Sequence, residues 1–429
     1  MILAYRILSN IFYPLLVIFI FFRRLIKKED PVRFKEKILS SHFNVKRKKN
    51  YELIWFHAAS IGEFKSIIPL LENLNNNSKN FKFLITTTTL SSGNLAENLL
   101  KKFDNVEHRF FPLDVDFLIK KFISAWVPDK IFLVDSEIWP NLIISAKKFK
   151  IPIALINARL SKKSFSRWIK FPKTAKIIFN SFSLCLSSNL ETKNFLEKLS
   201  AKNIFFHGNI KLINKINPDN IENINKSFLI KKRFWIAAST HENEEDFCLD
   251  VHAKLKKRYN DIITIIAPRH INRSNKIKAL SEKLNYNTQL LNKGEMISDD
   301  KEIVIINSFG ILQEYFKYSK SVFIGKSINK KLKNDSGQNP IDAAKLGCKV
   351  YHGPYVNNFK EIYDLLEQNN ISKKIDTRED LINNLIIDLE FPTKKHNYPV
   401  QKIEMLGQKT LSDTMSNINN FLFNDVFKA

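Results

Sequence analysis

Short apolar runs alternate with more polar segments of helical length along most of the chain. The first series of apolar runs reads LIWFHAAS, FKFLITTTT, KIFLVDSE, IPIALINA and KIIFN. After residue 232 a second series follows, which reads FWIAAST, IITIIAPRH, EIVIINS, SVFIGKS and KVYHGP. Strands that alternate with helices usually pair in parallel and are covered by helices. The pattern therefore predicts an α/β chain with two similar parallel sheets.

The two series are separated by a polar, asparagine-rich stretch at residues 209–232, NIKLINKINPDNIENINKSFLIKK. This composition suits a connection between domains. A chain of 429 residues is also long for a single core and favours two domains. We therefore expect one α/β domain at 29–208, a second at 209–402, and a ligand site in the cleft between them.

The amino terminus is strongly apolar. Residues 7–22, ILSNIFYPLLVIFIFF, are followed at once by the basic sequence RRLIKK. A full span needs about 20 apolar residues, and this run is shorter and contains Pro14, so spanning and interfacial insertion both stay open. Because basic residues flank cytoplasmic ends of membrane segments, the sequence predicts a membrane anchor at 1–28 with the rest of the chain on the cytoplasmic side.

The charge is extreme, with 68 Lys and Arg against 43 Asp and Glu and a net charge of +25. Such a charge attracts polyanions or an anionic membrane surface, although a lysine-rich composition explains it equally well. No nucleic-acid-binding signature accompanies the charge, so we expect no nucleic acid partner. Cys185, Cys248 and Cys348 are scattered and odd in number, which favours a reducing compartment.

Motifs of several other enzyme classes are absent from the sequence. There is no Walker A sequence, no GxGxxG before a helix, no HExxH and no GxSxG. The chain has only ten glycines, which disfavours a dinucleotide-binding loop. No His, Cys and Asp cluster has metal-ligand spacing. Hydride transfer and metal-dependent hydrolysis are therefore not expected.

Polar residues instead collect where the apolar runs end. In the first half they are His57, Ser60, Glu63, Thr86 to Thr89, Asp135 to Glu137, and Asn157 with Arg159; in the second half they are Ser239 to Glu242, Pro268 to His270, Gly310, Gly325 to Ser327, and Gly337 to Asn339 with Asp342. Carboxylates dominate the first set, whereas cations, hydroxyls and glycines dominate the second. This division suits an acceptor hydroxyl activated by a carboxylate and an anionic nucleotide held on the other side.

Several of these residues also have a purely structural interpretation. Ser60 and Glu63 have the spacing of a helix capping box, in which Ser60 bonds the Glu63 amide and Glu63 reaches back to the cap. Likewise, His57 can be explained as a buried core histidine whose ring nitrogens have hydrogen-bond partners. Taken singly, most of these positions are explained as well by structure as by chemistry.

Together and in this order, the motifs resemble one family. IWFHAASIGEF, ITTTTLSSG, FPLDV, SEIWPNLI, INARLSKKS, GNIK, AASTHENEE, IAPRHINR and NPIDAAKLGCKVYHGPYVNNFKEI are similar to the successive motifs of the 3-deoxy-D-manno-octulosonic acid (Kdo) transferases of lipopolysaccharide assembly. The resemblance covers nearly the whole chain. It implies a GT-B glycosyltransferase with two Rossmann-like domains, an acceptor domain at 29–208 and a nucleotide-sugar domain at 209–402, and a C-terminal helix at 403–429 that packs back on the first domain.

The resemblance also implies the reaction and its setting. Kdo would be transferred from CMP-Kdo to the lipid A precursor lipid IVA, with inversion and without a metal or other cofactor. The enzyme would lie at the bacterial inner membrane, bound to its anionic surface by the single amino-terminal anchor, with the catalytic domains on the cytoplasmic side.

The resemblance assigns roles to single residues. Glu63 matches the base that takes the proton of the acceptor hydroxyl, and Glu137 matches a second acidic position that orients the acceptor or tunes the pKa of Glu63 by like-charge repulsion. The positions that match nucleotide-contacting segments are Pro268, Arg269, Phe309, Gly310, Ile311, Asn339 and Asp342.

Three positions depart from the family pattern. Ile311 and Asp342 stand where the family has glutamate, and Lys326 stands where it has glycine. Two alternatives therefore stay open: a membrane-tethered GT-B enzyme that uses another nucleotide sugar, and an inactive, membrane-anchored binding protein that keeps the fold.

Overall fold

The computed structural model describes residues 1–43, 50–77, 80–392 and 400–423. The chain forms two compact units. Unit 1 consists of Met1–Asn214 together with Leu406–Ala429, and unit 2 consists of Lys215–Met405. The chain passes from unit 1 to unit 2 inside the polar stretch 209–232.

Unit 1 is built on a parallel sheet with the strand order β3-β2-β1-β4-β5-β6-β7 within the described residues. Its strands are β1 (Glu52–His57), β2 (Phe81–Thr87), β3 (Val106–Phe110), β4 (Lys130–Val134), β5 (Ile153–Ala158), β6 (Leu184–Ser187) and β7 (Ile204–Phe206). Its helices are α1 (Ile2–Ile11), α2 (Tyr13–Leu25), α3 (Ile61–Asn77), α4 (Leu90–Leu100), α5 (Asp116–Trp126), α6 (Pro140–Lys148), α7 (Lys162–Ile169), α8 (Pro172–Phe179) and α9 (Leu190–Lys198).

Unit 2 repeats this architecture, with the strand order β10-β11-β9-β8-β12-β13-β14 in the described residues. Its strands are β8 (Arg233–Thr240), β9 (Ile262–Pro268), β10 (Thr288–Leu291), β11 (Ile303–Ile306), β12 (Ser321–Ile324), β13 (Lys349–His352) and β14 (Ser372–Lys374). Its helices are α10 (Lys226–Lys231), α11 (Glu244–Lys256), α12 (Ser274–Lys283), α13 (Leu312–Phe316), α14 (Ile341–Lys345), α15 (Lys360–Gln368) and α16 (Arg378–Asp388). The predicted pair of parallel α/β sheets is confirmed.

Both faces of the first sheet are buried, which explains its nearly continuous apolar strands. Along β1, Leu53 and Trp55 pack in one core, whereas Ile54 and Phe56 pack in the core on the opposite face. Successive side chains of a strand point to opposite faces, so a strand covered on both sides needs apolar residues at every position.

The last helix, α17 (Val400–Phe423), packs against unit 1 from Leu406 onward. Met415, Ile418, Phe421 and Leu422 lie in the same core as Ile54 and other residues of the first sheet. Met415, Ile418 and Phe421 are three residues apart and Leu422 is four after Ile418, which places them on one face of the helix. The chain therefore returns to unit 1 after completing unit 2.

One predicted strand is wrong. The run KIIFN lies in α8, and the strand that follows β5 in the sheet is β6, with the sequence LCLS. Pro172 starts α8 at its first turn, and Ala175, Ile178 and Phe179 are buried on one face while Ile177 is exposed. This burial pattern has helical periodicity. In a short stretch of sequence, the two adjacent isoleucines resemble a buried strand and hide this periodicity.

The amino-terminal run forms two helices. In the described part of the chain, no single helix is long and apolar enough to cross a bilayer. The helices α1 and α2 meet both criteria only when they are taken together, and the chain bends by 55° between them.

Asp114, in the FPLDV motif, joins several elements of unit 1. Its buried carboxylate accepts hydrogen bonds from the amide groups of Asn141 and Leu142, at 3.0 and 2.9 Å, and from the hydroxyl of Tyr5 in α1, at 3.0 Å. The two amides belong to the first turn of α6, whose amino end has no intrahelical partners for them. The FPLDV and WPN motifs therefore form one capping structure.

We expect Asp114→Ala to destabilise unit 1. The change leaves two buried amides without an acceptor, which should lower the free energy of unfolding by about 2–4 kcal/mol and the midpoint of thermal unfolding by roughly 5–10 °C. Calorimetry checks this, with Asp104→Ala, at an exposed site, as the control. Equal midpoints for the two variants would contradict the capping role of Asp114.

Candidate active site

The strand order of unit 1 reverses between β1 and β4. From this point the chain runs outward through β2 and β3 on one side and through β5 to β7 on the other. In open α/β sheets, ligands bind at the carboxyl ends of the strands at such a switch point. Glu63 follows β1 in the first turn of α3, and Glu137 follows β4. The fold thus brings both sequence-predicted acidic residues to the same edge of the sheet.

Glu63 is held by the turn that precedes its own helix. The Ala59 amide donates to Glu63 Oε2 at 2.8 Å, and the Ser60 hydroxyl donates to Oε1 at 2.9 Å. In return, the Glu63 amide donates to Ser60 Oγ over a longer distance of 3.4 Å. The predicted capping box is thus modified, because the carboxylate reaches the amide of Ala59, one residue before the cap, rather than that of Ser60.

The environment of Glu63 makes it a weak acid. Burial is the largest effect, followed by the negative charges of Asp135 and Glu137, and together they raise the pKa of Glu63 to about 7. The hydrogen bonds from Ser60 and Ala59 act in the opposite direction. A carboxylate with a pKa near neutrality can accept a proton in a reaction at physiological pH, so Glu63 is suited to act as a general base.

Glu137 is fixed by two N–H donors on one oxygen. His57 Nε2 lies 3.1 Å from Glu137 Oε2, and the Trp139 indole N–H donates to the same oxygen at 2.7 Å. On the other side of the fully buried imidazole, Thr86 Oγ1 lies 2.9 Å from His57 Nδ1 and also accepts from the Trp55 indole at 2.9 Å. Nδ1 also lies 3.2 Å from the Thr86 backbone carbonyl. Because the Glu137 carboxylate accepts hydrogen bonds, the His57 proton that faces it is on Nε2.

Asp135 is held in a left-handed backbone conformation, with φ of 57°. One carboxylate oxygen accepts from the Asn157 side-chain amide, and the other lies 2.6 Å from Lys211 Nζ. Asn157 is also left-handed, with φ of 53°, and its side-chain oxygen accepts from the Ile210 amide at 3.0 Å. Non-glycine residues seldom adopt this conformation. These contacts tie the NAR and GNIK motifs to the acidic loop.

In unit 2 the switch point lies between β8 and β12, and cations surround it. Pro268 ends β9 and is buried, so Arg269 and His270 follow it at the exposed carboxyl end of the strand. The His241 and His270 rings meet edge to face with centroids 5.8 Å apart. Burial, then the charges of Lys326, His270 and Arg273, lower the pKa of His241 to about 4. This positive environment suits an anionic ligand.

Glu244 is a structural residue of this site that sequence reasoning missed. Its fully buried carboxylate accepts from the amides of His241, Lys326 and Ser327 at 2.9, 2.7 and 2.9 Å, and burial raises its pKa. A Cβ on Gly325 would lie only 2.7 Å from this carboxylate, so the glycine is required. The acidic first turn of α11 was the available signal, but it is explained equally well by the helix dipole.

Two further predicted segments meet through one hydrogen bond. The Gln313 side-chain amide donates to Asp342 Oδ2 at 2.9 Å, which joins α13, the short helix after Phe309 and Gly310, to the start of α14. Phe309 is 70% exposed and Gly310 has φ of 81°, whereas the side chain of Ile311 is buried. Ile311 therefore contributes to the core of unit 2 at the position where the family pattern has a glutamate.

Asn339 is exposed, and its side-chain oxygen accepts from the Ile341 amide at 3.0 Å. The helix that it precedes, α14, has only five residues. No group of three or more His, Cys, Asp or Glu suited to a metal ion occurs among the residues with a described position.

Comparison with known proteins gives consistent results. The family described as 3-Deoxy-D-manno-octulosonic-acid transferase (kdotransferase) matches residues 33–214. A curated relative from Rickettsia bellii, named 3-deoxy-D-manno-octulosonic acid transferase, is 30% identical, with 97% of this chain and 99% of the relative covered. A relative from Arabidopsis thaliana, named probable 3-deoxy-D-manno-octulosonic acid transferase, mitochondrial, is 32% identical and covers 87% of this chain and 86% of its own length.

Among solved structures, UDP-GlcNAc 2-epimerase from Neisseria meningitidis bound to UDP-GlcNAc is similar, with a TM-score of 0.56 and 15% identity over 86% of this chain and 100% of that chain. At this identity the likeness concerns the fold alone. The prediction of a GT-B type α/β fold is confirmed.

We expect Glu137→Gln to lower the pKa of Glu63, because the change removes one of the two negative charges that raise it. Carbon-13 NMR titration of the glutamate carboxyl groups measures the shift, and a Glu63→Gln sample assigns the resonance. Glu52→Gln, at the opposite end of β1, is the control and should leave the pKa near 7. An unchanged pKa in Glu137→Gln would mean that the two charges do not interact.

Proposed function

The chain belongs to the 3-deoxy-D-manno-octulosonic acid transferase family and is a glycosyltransferase, and from this premise we propose that it transfers Kdo from CMP-Kdo to lipid IVA in lipopolysaccharide assembly. The observation that carries the proposal is the pair of carboxylates at the switch point of unit 1. Glu63 has a pKa of about 7, and Glu137 is fixed by two N–H donors.

On the acceptor side, Glu63 removes the proton of the attacking hydroxyl. The hydroxyl oxygen forms a bond to the anomeric carbon of Kdo while the bond from that carbon to the phosphate oxygen of CMP breaks and CMP leaves with the electron pair. Attack on the face opposite the leaving group inverts the anomeric centre. Because the Kdo ring gains oxocarbenium character, the negative charges of Asp135 and Glu137 favour the transition state as well as a basic Glu63.

Glu137 orients the acceptor in this scheme. Its Oε2 is occupied by His57 and Trp139, so a sugar hydroxyl would donate to Oε1. A carboxylate whose position is fixed by two donors holds a substrate group with little loss of side-chain entropy. The same charge keeps the pKa of Glu63 high, so orientation and pKa tuning both come from one residue.

On the donor side, unit 2 binds the nucleotide. Arg269 offers a permanently charged guanidinium that can form paired hydrogen bonds with the CMP phosphate. Lys326 and Arg273 act on His241 as positive charges, and Arg273 is paired with Glu245. We assign nucleotide contacts to seven residues at the carboxyl side of this sheet, namely Pro268, Arg269, Phe309, Gly310, Ile311, Asn339 and Asp342. Ile311 contributes through its backbone, because its side chain is buried.

The amino-terminal helices support a location at the bacterial inner membrane, with the catalytic units on the cytoplasmic side. In α1 three polar residues contact the rest of the protein: Tyr5 donates to Asp114, Arg6 lies 3.2 Å from Asp116, and Ser9 accepts from the Asn141 side chain. The apolar residues instead point outward, and those of α1 and α2 that are exposed include Leu3, Ile7, Leu8, Ile11, Leu15, Ile18, Phe19 and Phe22. This inverted arrangement suits a helix pair in contact with lipid.

A second candidate is a membrane-tethered transferase that uses another nucleotide sugar. The buried Ile311 and the shorter carboxylate of Asp342, which already accepts from Gln313, change the groups that the donor would meet. The third possibility, an inactive binding protein, does not explain why the pKa of Glu63 is raised to about 7 or why Glu137 is fixed by two donors.

We expect Glu63→Gln to lower kcat by about 10²- to 10⁴-fold, the usual contribution of a general base. Glutamine can still accept from the Ala59 amide, but it cannot take a proton. Mass spectrometry of Kdo incorporation into lipid IVA from CMP-Kdo measures the rate, and Glu72→Gln, at an exposed site on α3, is the matched control.

A folded Glu63→Gln variant that retains wild-type activity would make Glu63 a helix cap only. Wild-type enzyme that fails to use CMP-Kdo would overturn the donor assignment, and failure with every nucleotide sugar would favour a binding protein.

We expect Arg269→Ala to weaken CMP binding by about 10- to 100-fold, because one charge-assisted contact to the phosphate is lost. Calorimetric titration measures the affinity, with Arg258→Ala, at an exposed site after α11, as the control. The same titration with UDP separates the two donor assignments. Equal loss in both variants would show that Arg269 does not contact the phosphate.

A further inference from the structure

Unit 1 contains a pocket beside Glu137 that the scheme above does not use. Its volume is about 330 Å³. The pocket is lined by Ser136, Ile138, Arg159, Leu160, Ser161, Ser164 and Trp168. Ligand pockets usually measure about 300–1,000 Å³, so this one admits a single sugar with its substituents rather than a whole glycolipid. We call it the Arg159 pocket.

The position of the Arg159 pocket relates it to the acceptor. Ser136 and Ile138, which line the pocket, are the chain neighbours of Glu137, so the pocket adjoins the loop that carries Glu137. The two walls are joined by their backbones: the Arg159 amide donates to the Asp135 carbonyl at 3.1 Å, and the Ser136 hydroxyl donates to the Arg159 carbonyl at 2.8 Å. The pocket and the acidic loop are therefore one structural element.

The walls have the chemistry of an anion site. Arg159 supplies a guanidinium, which is always charged and forms paired hydrogen bonds with phosphate oxygens. Ser136, Ser161 and Ser164 supply hydroxyls, and the half-buried indole of Trp168 offers an apolar face against which a sugar ring can pack. Ile138 and Leu160 complete the apolar part of the lining.

The pocket lies near negatively charged side chains, which would repel an anionic ligand. Glu63, Asp135 and Glu137 make the neighbouring edge negative, although Lys211 pairs with Asp135. An anionic group can approach this edge only if a cation compensates it. Arg159 in the pocket wall can supply this positive charge, and the adjoining helix α7 begins with the exposed residues Lys162 and Lys163.

We propose that the Arg159 pocket binds a phosphate monoester on the acceptor sugar and so sets the position of the attacking hydroxyl relative to Glu63. This inference rests on the proposed function, because it presumes that unit 1 receives a phosphorylated sugar acceptor. It gives a ligand-binding role to the INARLSKKS motif, which catalysis by Glu63 and Glu137 leaves without one.

The test compares acceptors that differ only in phosphate. Wild-type enzyme with CMP-Kdo should show a kcat/KM on lipid IVA about 10- to 100-fold above that on lipid IVA from which both phosphates have been removed. Arg159→Ala should lower the ratio of kcat/KM on lipid IVA to kcat/KM on the dephosphorylated acceptor to about one, because the phosphate contact is lost. Arg167→Ala, at an exposed site on α7 outside the pocket lining, should keep the wild-type preference.

A second pair of variants tests the pocket without changing Arg159. Ser164→Asp places a negative charge in the pocket, whereas Ser166→Asp places the same charge at an exposed site on the same helix. Only Ser164→Asp should reduce the preference for the phosphorylated acceptor. Equal losses on both acceptors in the pocket variants, or a preference that survives them, would overturn the proposal.

Binding without turnover separates this proposal from the donor assignment. Saturation-transfer NMR with glucosamine 6-phosphate, and with glucosamine as its neutral match, needs no CMP-Kdo. Stronger binding of the phosphorylated sugar that is lost in Arg159→Ala and kept in Arg167→Ala supports the pocket even if CMP-Kdo proves to be the wrong donor. Equal binding of both sugars would overturn the pocket even if Kdo transfer is observed.

Discussion

The grouping of three carboxylates at one edge of a parallel sheet is the constraint on which much of unit 1 depends. Burial and the charges of Asp135 and Glu137 disfavour the ionised form of Glu63, and such a cluster is costly unless the surroundings supply compensating charge and hydrogen bonds. Lys211 lies against Asp135, and the amide of Ala59 donates to Glu63. The electrostatic cost that these contacts leave uncompensated raises the pKa of Glu63. A pKa near neutrality is the property that a general base needs.

The same physical device recurs away from the acidic edge. Asp114 in unit 1 and Glu244 in unit 2 are buried carboxylates that accept backbone amides from distant segments. Each fixes the start of a helix or the course of a loop next to a strand end. Amides that are otherwise unpaired at helix starts and tight turns are thereby satisfied, and the loops that carry the candidate site residues are held by interior contacts rather than by their own sequence.

Local pattern predicted the fold class well but not every element. Strands such as β1 and β5 are apolar at nearly every position because both faces of the sheet are covered, and this signal survives in a short window. The KIIFN run shows the limit, since the same isoleucines are compatible with a strand or with one face of a helix. The decision came from Pro172 at the helix start and from packing around Ile178 and Phe179.

For the site, the sequence by itself determined which residues are available: a glutamate after β1, an acidic group after β4, and an arginine after β9. It also determined that these follow strands, because apolar runs precede them. Only the tertiary structure decided that β1 and β4 are neighbours, that Glu63 lies within the field of Asp135 and Glu137, and that His57 points its Nε2 at Glu137. Strand order is set by packing between residues far apart in the chain, and a pKa depends on burial and on neighbouring charges, so neither can be obtained from the spacing of residues alone.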